Sequence, residues 1–165
     1  MQSPRSRPMR LALYQPDIPQ NAGALMRLSA CMGVSLDLIG PCGFVLDDRG
    51  LSRVAMDYRE HLDLTVHASW PAFLEAAAWR RAGGRLVLLS TRARTPYTDH
   101  RFSAADTILA GRESAGVPEE VFDAADARLC IPLRPGPRSL NVAVAAAMVL
   151  GEALRQTNTM PEVGA

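Results

Sequence analysis

Short apolar runs alternate along this chain with longer amphipathic stretches, and turn residues mark nearly every change between them. Residues 10–14 read as a first strand, broken by Pro16 and Pro19, and residues 21–32 follow as a helix that Gly33 stops. In that helix Leu25, Leu28, Ser29 and Met32 share one face at helical spacing, while Arg27 points to the other side. Residues 35–39 form a second strand, and 47–62 are mixed and partly helical. Ser69 caps a helix over 70–82, with Pro71 in its first turn and Gly83 just past its end. Residues 85–90, 107–110 and 128–133 read as short apolar strands, with a short helix over 118–124. From Asn141 a last helix is apolar on every side through Leu150. Val142, Ala145, Ala146 and Val149 cover one face and Val144 and Met148 the other, which predicts burial all round. It is either a central core helix or one that packs on a second subunit, with Ala143, Ala145, Ala146 and Ala147 permitting close approach.

This alternation predicts an α/β fold, a mostly parallel sheet flanked by helices. The chain of 165 residues suits a single domain over 9–157, with a flexible basic N-terminal tail at 1–8 and a flexible C-terminal tail at 158–165. Composition narrows the class. With 48% hydrophobic and 21% charged residues, and an uninterrupted apolar run no longer than 142–150, the chain reads as a soluble protein without a membrane span. Arg5, Arg7 and Arg10 are followed by no apolar segment before Pro16, which excludes a secretory signal and predicts a cytoplasmic location. Cys31, Cys42 and Cys130 are widely spaced without a CxxC pair, which argues against disulfides and zinc and for reduced, mostly buried thiols. His61, His67 and His100 are equally scattered, and no metal is expected.

Net charge is only +1, so there is no global nucleic-acid footprint, although all 18 basic residues are arginine. Arg80, Arg81, Arg85, Arg92, Arg94 and Arg101 face a single acid, Asp99, in their interval. That interval is either a basic patch or a solvated arginine-rich face.

Two loops carry the chemistry. Leu109-Ala-Gly111-Arg-Glu113-Ser-Ala-Gly116-Val-Pro118 places a glycine-bearing turn directly after a strand. Ile131-Pro-Leu133-Arg-Pro-Gly-Pro-Arg138-Ser139-Leu140-Asn141 leads from another strand into the last helix. Both suit a ligand crevice at strand ends. Neither is a P-loop or a GxGxxG turn, which disfavours nucleoside triphosphate chemistry. Asn21 and Gly23 at the start of the first helix allow close backbone approach and expose helix amides suited to an anion.

Taken together and in order, Asn21-Ala-Gly23-Ala-Leu-Met-Arg27, Gly111 to Pro118 and Ile131 to Asn141 resemble the three motifs of the SPOUT RNA methyltransferases. Pro16-Asp-Ile-Pro19 and Gly43-Phe-Val-Leu-Asp47-Asp48 are similar to the small members that methylate the wobble ribose of tRNA. The resemblance covers nearly the whole chain. It implies a C-terminal trefoil knot, a homodimer, and use of S-adenosylmethionine with S-adenosylhomocysteine as product. The implied substrate is the 2′-hydroxyl of cytidine or uridine at position 34 in the anticodon loop of tRNA. By position it implies that Leu89, Gly111, Gly116, Ile131, Leu133, Ser139 and Leu140 line the cofactor pocket. Arg27 is the implied catalytic arginine, with Ser139 and Asn141 beside the methionine moiety, and Arg27 and Arg138 on the RNA. A guanidinium with a pKa above about 12 is a poor base, so its role is to orient the reactants and to stabilise developing negative charge. A methyltransferase acting on another RNA, such as ribosomal RNA, and a non-catalytic RNA-binding scaffold are the alternatives. In this family's terms Arg112, Ala115 and Gly151 are departures, standing where relatives have proline, arginine and tyrosine.

Overall fold

The strands pair in one seven-stranded sheet, every ladder parallel, in the order β3-β2-β1-β6-β4-β7-β5. In chain order the elements are β1 (Arg10–Tyr14), α1 (Pro19–Met32), β2 (Ser35–Ile39), α2 (Arg49–Asp57), β3 (Leu64–His67), α3 (Trp70–Ala76), β4 (Leu86–Leu89), β5 (Thr95–Pro96), β6 (Thr107–Ala110), α4 (Glu119–Ala124), β7 (Ala127–Cys130) and α5 (Val142–Thr157). This computed structural model describes residues 9–46, 49–77, 80 and 83–164. The basic N-terminal tail and the Asp47-Asp48 end of the Gly43 segment lie outside the described residues.

Period-two alternation in the strands sorts the core into two layers. Leu11, Leu13, Leu36, Leu38, Val87 and Ile108 face Leu25 and Met26 of α1, Leu51 of α2 and Val149, Leu150 and Leu154 of α5. Ala12, Tyr14, Ile39, Leu86, Leu88 and Leu109 face Trp70 and Phe73 of α3 and Val121 of α4. Each fully buried leucine contributes on the order of 1.5–3 kcal/mol, which is why these strands are mostly apolar on both faces. One polar exception is a buried cluster across three strands. Asp37 accepts from Arg10 Nε at 2.8 Å and pairs with His67 Nε2 at 2.7 Å.

The helix ends follow local chemistry. Gly33 takes a left-handed φ of 67° and returns its amide to Ser29, closing α1. Ser69 Oγ accepts from the Ala72 amide at 3.3 Å and caps α3. Five expectations need correction. Helix α1 begins at Pro19, two residues early, because proline is accepted in a first turn. Helix α3 runs only to Ala76, and most of the remaining span to Ala82 lies outside the described residues. The strand expected over 128–133 ends at Cys130, since Pro132 cannot continue a ladder. Helix α5 is not buried all round in the single chain: Ala146, Val149, Leu150, Ala153 and Leu154 are buried, but Val144 and Met148 are 50% and 40% exposed. The cysteines are free, as expected, but not mostly buried, with Cys31 exposed and Cys42 and Cys130 half-buried.

Candidate active site

The chain builds β1, β2 and β3 outward to one side and then crosses to place β6 beside β1 and β4 beyond it. Loops leaving the carboxyl ends of the strands at such a reversal enclose a crevice. Here it has a volume of about 580 Å³, walled by the ends of β4, β6 and β7, the Gly111–Gly116 loop, and the segment entering α5. A pocket of that size suits a nucleoside-sized ligand.

The Gly111–Gly116 loop is closed by reciprocal backbone hydrogen bonds between Arg112 and Gly116. A Cβ on Gly111 would lie 2.8 Å from the Gly116 carbonyl carbon, and Gly116 has a left-handed φ of 65°, so both positions require glycine. Directly after β1, Gln15 takes a left-handed φ of 42°, a cost of roughly 1–3 kcal/mol that turns the chain sharply toward Asp17.

A chain of hydrogen bonds then ties the three segments together. Asn141 caps α5, its Oδ1 accepting from the amides of Ala143 and Val144 at 2.9 and 3.2 Å. Its Nδ2 donates to Asn21 Oδ1 at 2.9 Å, and Asn21 Nδ2 donates to Glu113 Oε1 at 3.1 Å. Glu113 Oε2 accepts from the Asp17 amide at 3.0 Å, and the Ser114 hydroxyl donates to the Asp17 carboxylate. Burial, reinforced by the Asp17 carboxyl, pushes the Glu113 carboxyl up. Glu113, together with the Ser114 hydroxyl, holds Asp17 below the usual range. Of the two, Glu113 therefore takes the first proton.

Leu89, Gly111, Gly116, Ile131, Leu133, Ser139, Leu140 and Asn141 all line this crevice. Arg27 does not. It sits on the exposed side of α1 in a neighbouring apolar groove of about 780 Å³ between α1, α2 and the first turns of α5, with its guanidinium 5.6 Å from the centre of the Tyr58 ring. Arg138 is exposed in the segment before α5 and lines neither space. Sequence reading missed Ser90, Thr91 and Arg92, which also line the crevice. Their position directly after an apolar strand, at the same end as the glycine loop, is the signal that would have found them. Among the described residues no group of three or more His, Cys, Asp and Glu side chains is placed to hold a metal ion, and no helix is long and apolar enough to cross a membrane.

The lining chemistry fits S-adenosylmethionine. Leu89, Leu129, Ile131, Leu133 and Leu140 offer apolar surface for a purine, while Asn21, Glu113, Ser139 and Asn141 supply polar groups at one end.

A parallel sheet with an apolar-and-polar crevice outside its carboxyl ends defines the chain as an α/β protein with a ligand crevice at its strand ends. More narrowly, residues 8–151 match the SpoU rRNA Methylase family, and the chain belongs to it. It is 58% identical over 154 residues to the tRNA (cytidine(34)-2′-O)-methyltransferase of Beijerinckia indica subsp. indica, covering 93% of this chain and 94% of that protein. A solved structure described as giving insight into the 2-OH methylation of C/U34 on tRNA superposes with a TM-score of 0.82 at 45% identity, covering 91% of this chain and 96% of that one. The AdoMet-bound rRNA methyltransferase of Sinorhizobium meliloti superposes with a TM-score of 0.79 at 26% identity, covering 92% of this chain and 57% of that one.

Proposed function

We propose that this protein transfers a methyl group from S-adenosylmethionine to the ribose 2′-hydroxyl of the wobble nucleotide, cytidine or uridine 34, of tRNA. The observation that carries the reading is the hydrogen-bonded union of Asn21, Glu113 and Asn141 beside a crevice lined by all seven residues expected to hold the cofactor. The full-length likeness to the cytidine-34 enzyme supports the substrate.

When bound, S-adenosylmethionine supplies a methyl group activated on a sulfonium cation. Leu89, Ile131, Leu133 and Leu140, with the backbone at Gly111 and Gly116, hold the adenosine part. Ser139 and Asn141 hydrogen-bond the methionine part. Asn141 is kept in place by its double role as helix cap and partner of Asn21. Arg27, a permanent cation, orients the incoming ribose and counters the negative charge that develops on the 2′-oxygen. Arg138 contacts the RNA. The reaction takes place in the cytoplasm.

Because Arg27 lies in the groove rather than in the crevice, its role calls for a second copy of the chain. The groove is apolar, Val144 and Met148 are exposed on the neighbouring helix face, and a homodimer packed there would cover them and place Arg27 at the interface. The reading also carries the family's C-terminal trefoil knot.

The test is methyl transfer from labelled S-adenosylmethionine to total tRNA lacking the modification, with nucleoside mapping and Arg27→Ala alongside. Label on the 2′-oxygen of nucleotide 34, lost with Arg27→Ala while cofactor affinity stays within twofold, is the expected result. Transfer only to ribosomal RNA, or no cofactor binding, overturns it.

A further inference from the structure

Apart from Arg92, the arginines of the interval from Arg80 to Arg101 have no part in the site so far described, yet the fold gathers some of them beside the crevice. Between the loop after β4 and the strand β7 lies a second cleft of about 470 Å³, lined by Arg92, Arg94, Arg128, Phe122, His100 and Asp126 among others. Arg92 borders both this cleft and the cofactor crevice, so the two adjoin at the loop after β4.

Two of the three arginines are held in place. The Arg92 guanidinium lies 4.1 Å from the centre of the Phe122 ring and pairs with Glu119 at 2.7 Å. Arg128 lies 5.0 Å from the same ring and donates to the carbonyls of Phe122 and Asp123 at 2.7 and 3.0 Å. Phe122 is thus a platform for guanidinium groups, each stacking of this kind being worth about 0.5–1 kcal/mol at an exposed site. Fixed arginines lose less side-chain freedom when they take a ligand. The third, Arg94, is exposed and makes no hydrogen bond, ion pair or ring contact among the described residues.

The acids of the cleft and its rim already have partners. Glu119 is paired with Arg92, and Asp126 accepts from the Leu86 amide at 2.7 Å and faces Arg80 at 3.6 Å. His100 keeps Nε2 buried and unbonded, and burial with the nearby Arg85 lowers its pKa, so the positive charge of the cleft comes from arginine. A cleft with a positive lining, a free guanidinium and little stackable aromatic surface suits phosphates rather than bases.

We propose that this cleft docks the phosphate backbone of the substrate RNA beside the methylated nucleotide, with Arg94 pairing directly to a phosphate and Arg92 and Arg128 shaping the surface. The inference rests on the RNA methyltransferase reading, and it assigns a second contact region to the same substrate. Such contacts set register and affinity and carry no base identity.

The experiment compares wild type, Arg94→Glu and Arg94→Lys as full chains. It measures tRNA affinity without cofactor across a salt series, steady-state methylation, and S-adenosylmethionine affinity. For Arg94→Glu the expected result is a roughly tenfold weaker tRNA affinity and a matching rise in KM, with kcat and cofactor affinity within twofold. The slope of log affinity against log salt should fall by about 1, the loss of one phosphate contact. Arg94→Lys should recover most of the affinity, because it keeps the charge. Unchanged tRNA affinity and salt slope in Arg94→Glu would overturn the docking role while leaving the methyltransferase reading intact. If wild type transfers no methyl to tRNA, that reading fails by itself, and the binding series on tRNA and ribosomal RNA still decides the cleft. Wild type binding neither RNA overturns it.

Discussion

Asn21 is the middle link between Glu113 and Asn141, and Asn21→Asp is the most revealing single change there. The substitution keeps an oxygen to accept from Asn141 Nδ2 but replaces the amide that donates to Glu113 at 3.1 Å with a second carboxylate. At an effective dielectric of about 20, two unit charges at that separation repel by about 5 kcal/mol. Glu113 is half-buried, so solvent screening reduces this to about 2–3 kcal/mol. Loss of the charge-assisted hydrogen bond is part of the same change and is not added separately. For a domain of this length a loss of about 2–3 kcal/mol lowers the Tm by roughly 4–12 °C. The sign with pH follows from the proton count. The new carboxyl has its folded pKa raised by Glu113, so stability is lost as pH rises above the ordinary aspartate value and recovers as pH falls and one proton bridges the pair. Thermal melts of wild type, Asn21→Asp and Asn21→Ala at pH 5 and pH 7.5 test this. Asn21→Asp should be destabilised mainly at pH 7.5, and Asn21→Ala should show the same trend more weakly, because the lost amide stabilises only the ionised form of Glu113. A deficit of the same size at both pH values for Asn21→Asp, or none at pH 7.5, would refute the reasoning.

Gly111→Ala should lose tenfold or more in S-adenosylmethionine affinity by calorimetry, since its Cβ would sit 2.8–2.9 Å from backbone atoms of Gly116 and force the loop open; unchanged affinity would mean the loop does not shape the pocket. Burial and Arg85 lower the His100 pKa from 6.5, with Asp106 opposing, so the folded state resists protonation. Wild-type stability should therefore fall as pH drops through 6.5, and denaturant titrations should show that part of the slope missing in His100→Gln. Val144→Glu with Met148→Glu places charge on the exposed face of α5, and sedimentation should show the dimer converted to monomer with Arg27-dependent methylation lost. A dimer that persists places the interface elsewhere.

Much of the sheet was legible because its inner strands are buried on both faces and read as short, mostly apolar runs, as in 86–89 and 107–110. The two strands that were missed fail that condition. β3 carries exposed Thr65 and Val66, and β5 is a two-residue edge strand containing Pro96. Apolar pattern carries little signal at an edge, where half the positions face water. The final helix shows the opposite error, since an apolar sequence alone does not say whether its second face meets the core or another chain.

The residues that line the crevice were legible by resemblance, since each lies at a strand end or in a segment that follows one, and those ends converge where the strands run parallel. Local sequence determined the buried inner strands, the Ser69 and Gly33 helix ends, and the glycines of the 111–116 turn, because each depends on neighbours a few residues away. The tertiary structure decided what those pieces do together. Asn21 meets Glu113 across 92 positions and Asn141 across 120, and Arg92 comes to border two clefts at once. It also set Arg27 apart from the crevice in which its motif partner Asn21 stands. Parallel strand order and the facing of helices are set by burial summed over the whole chain, and no short window of sequence contains that sum.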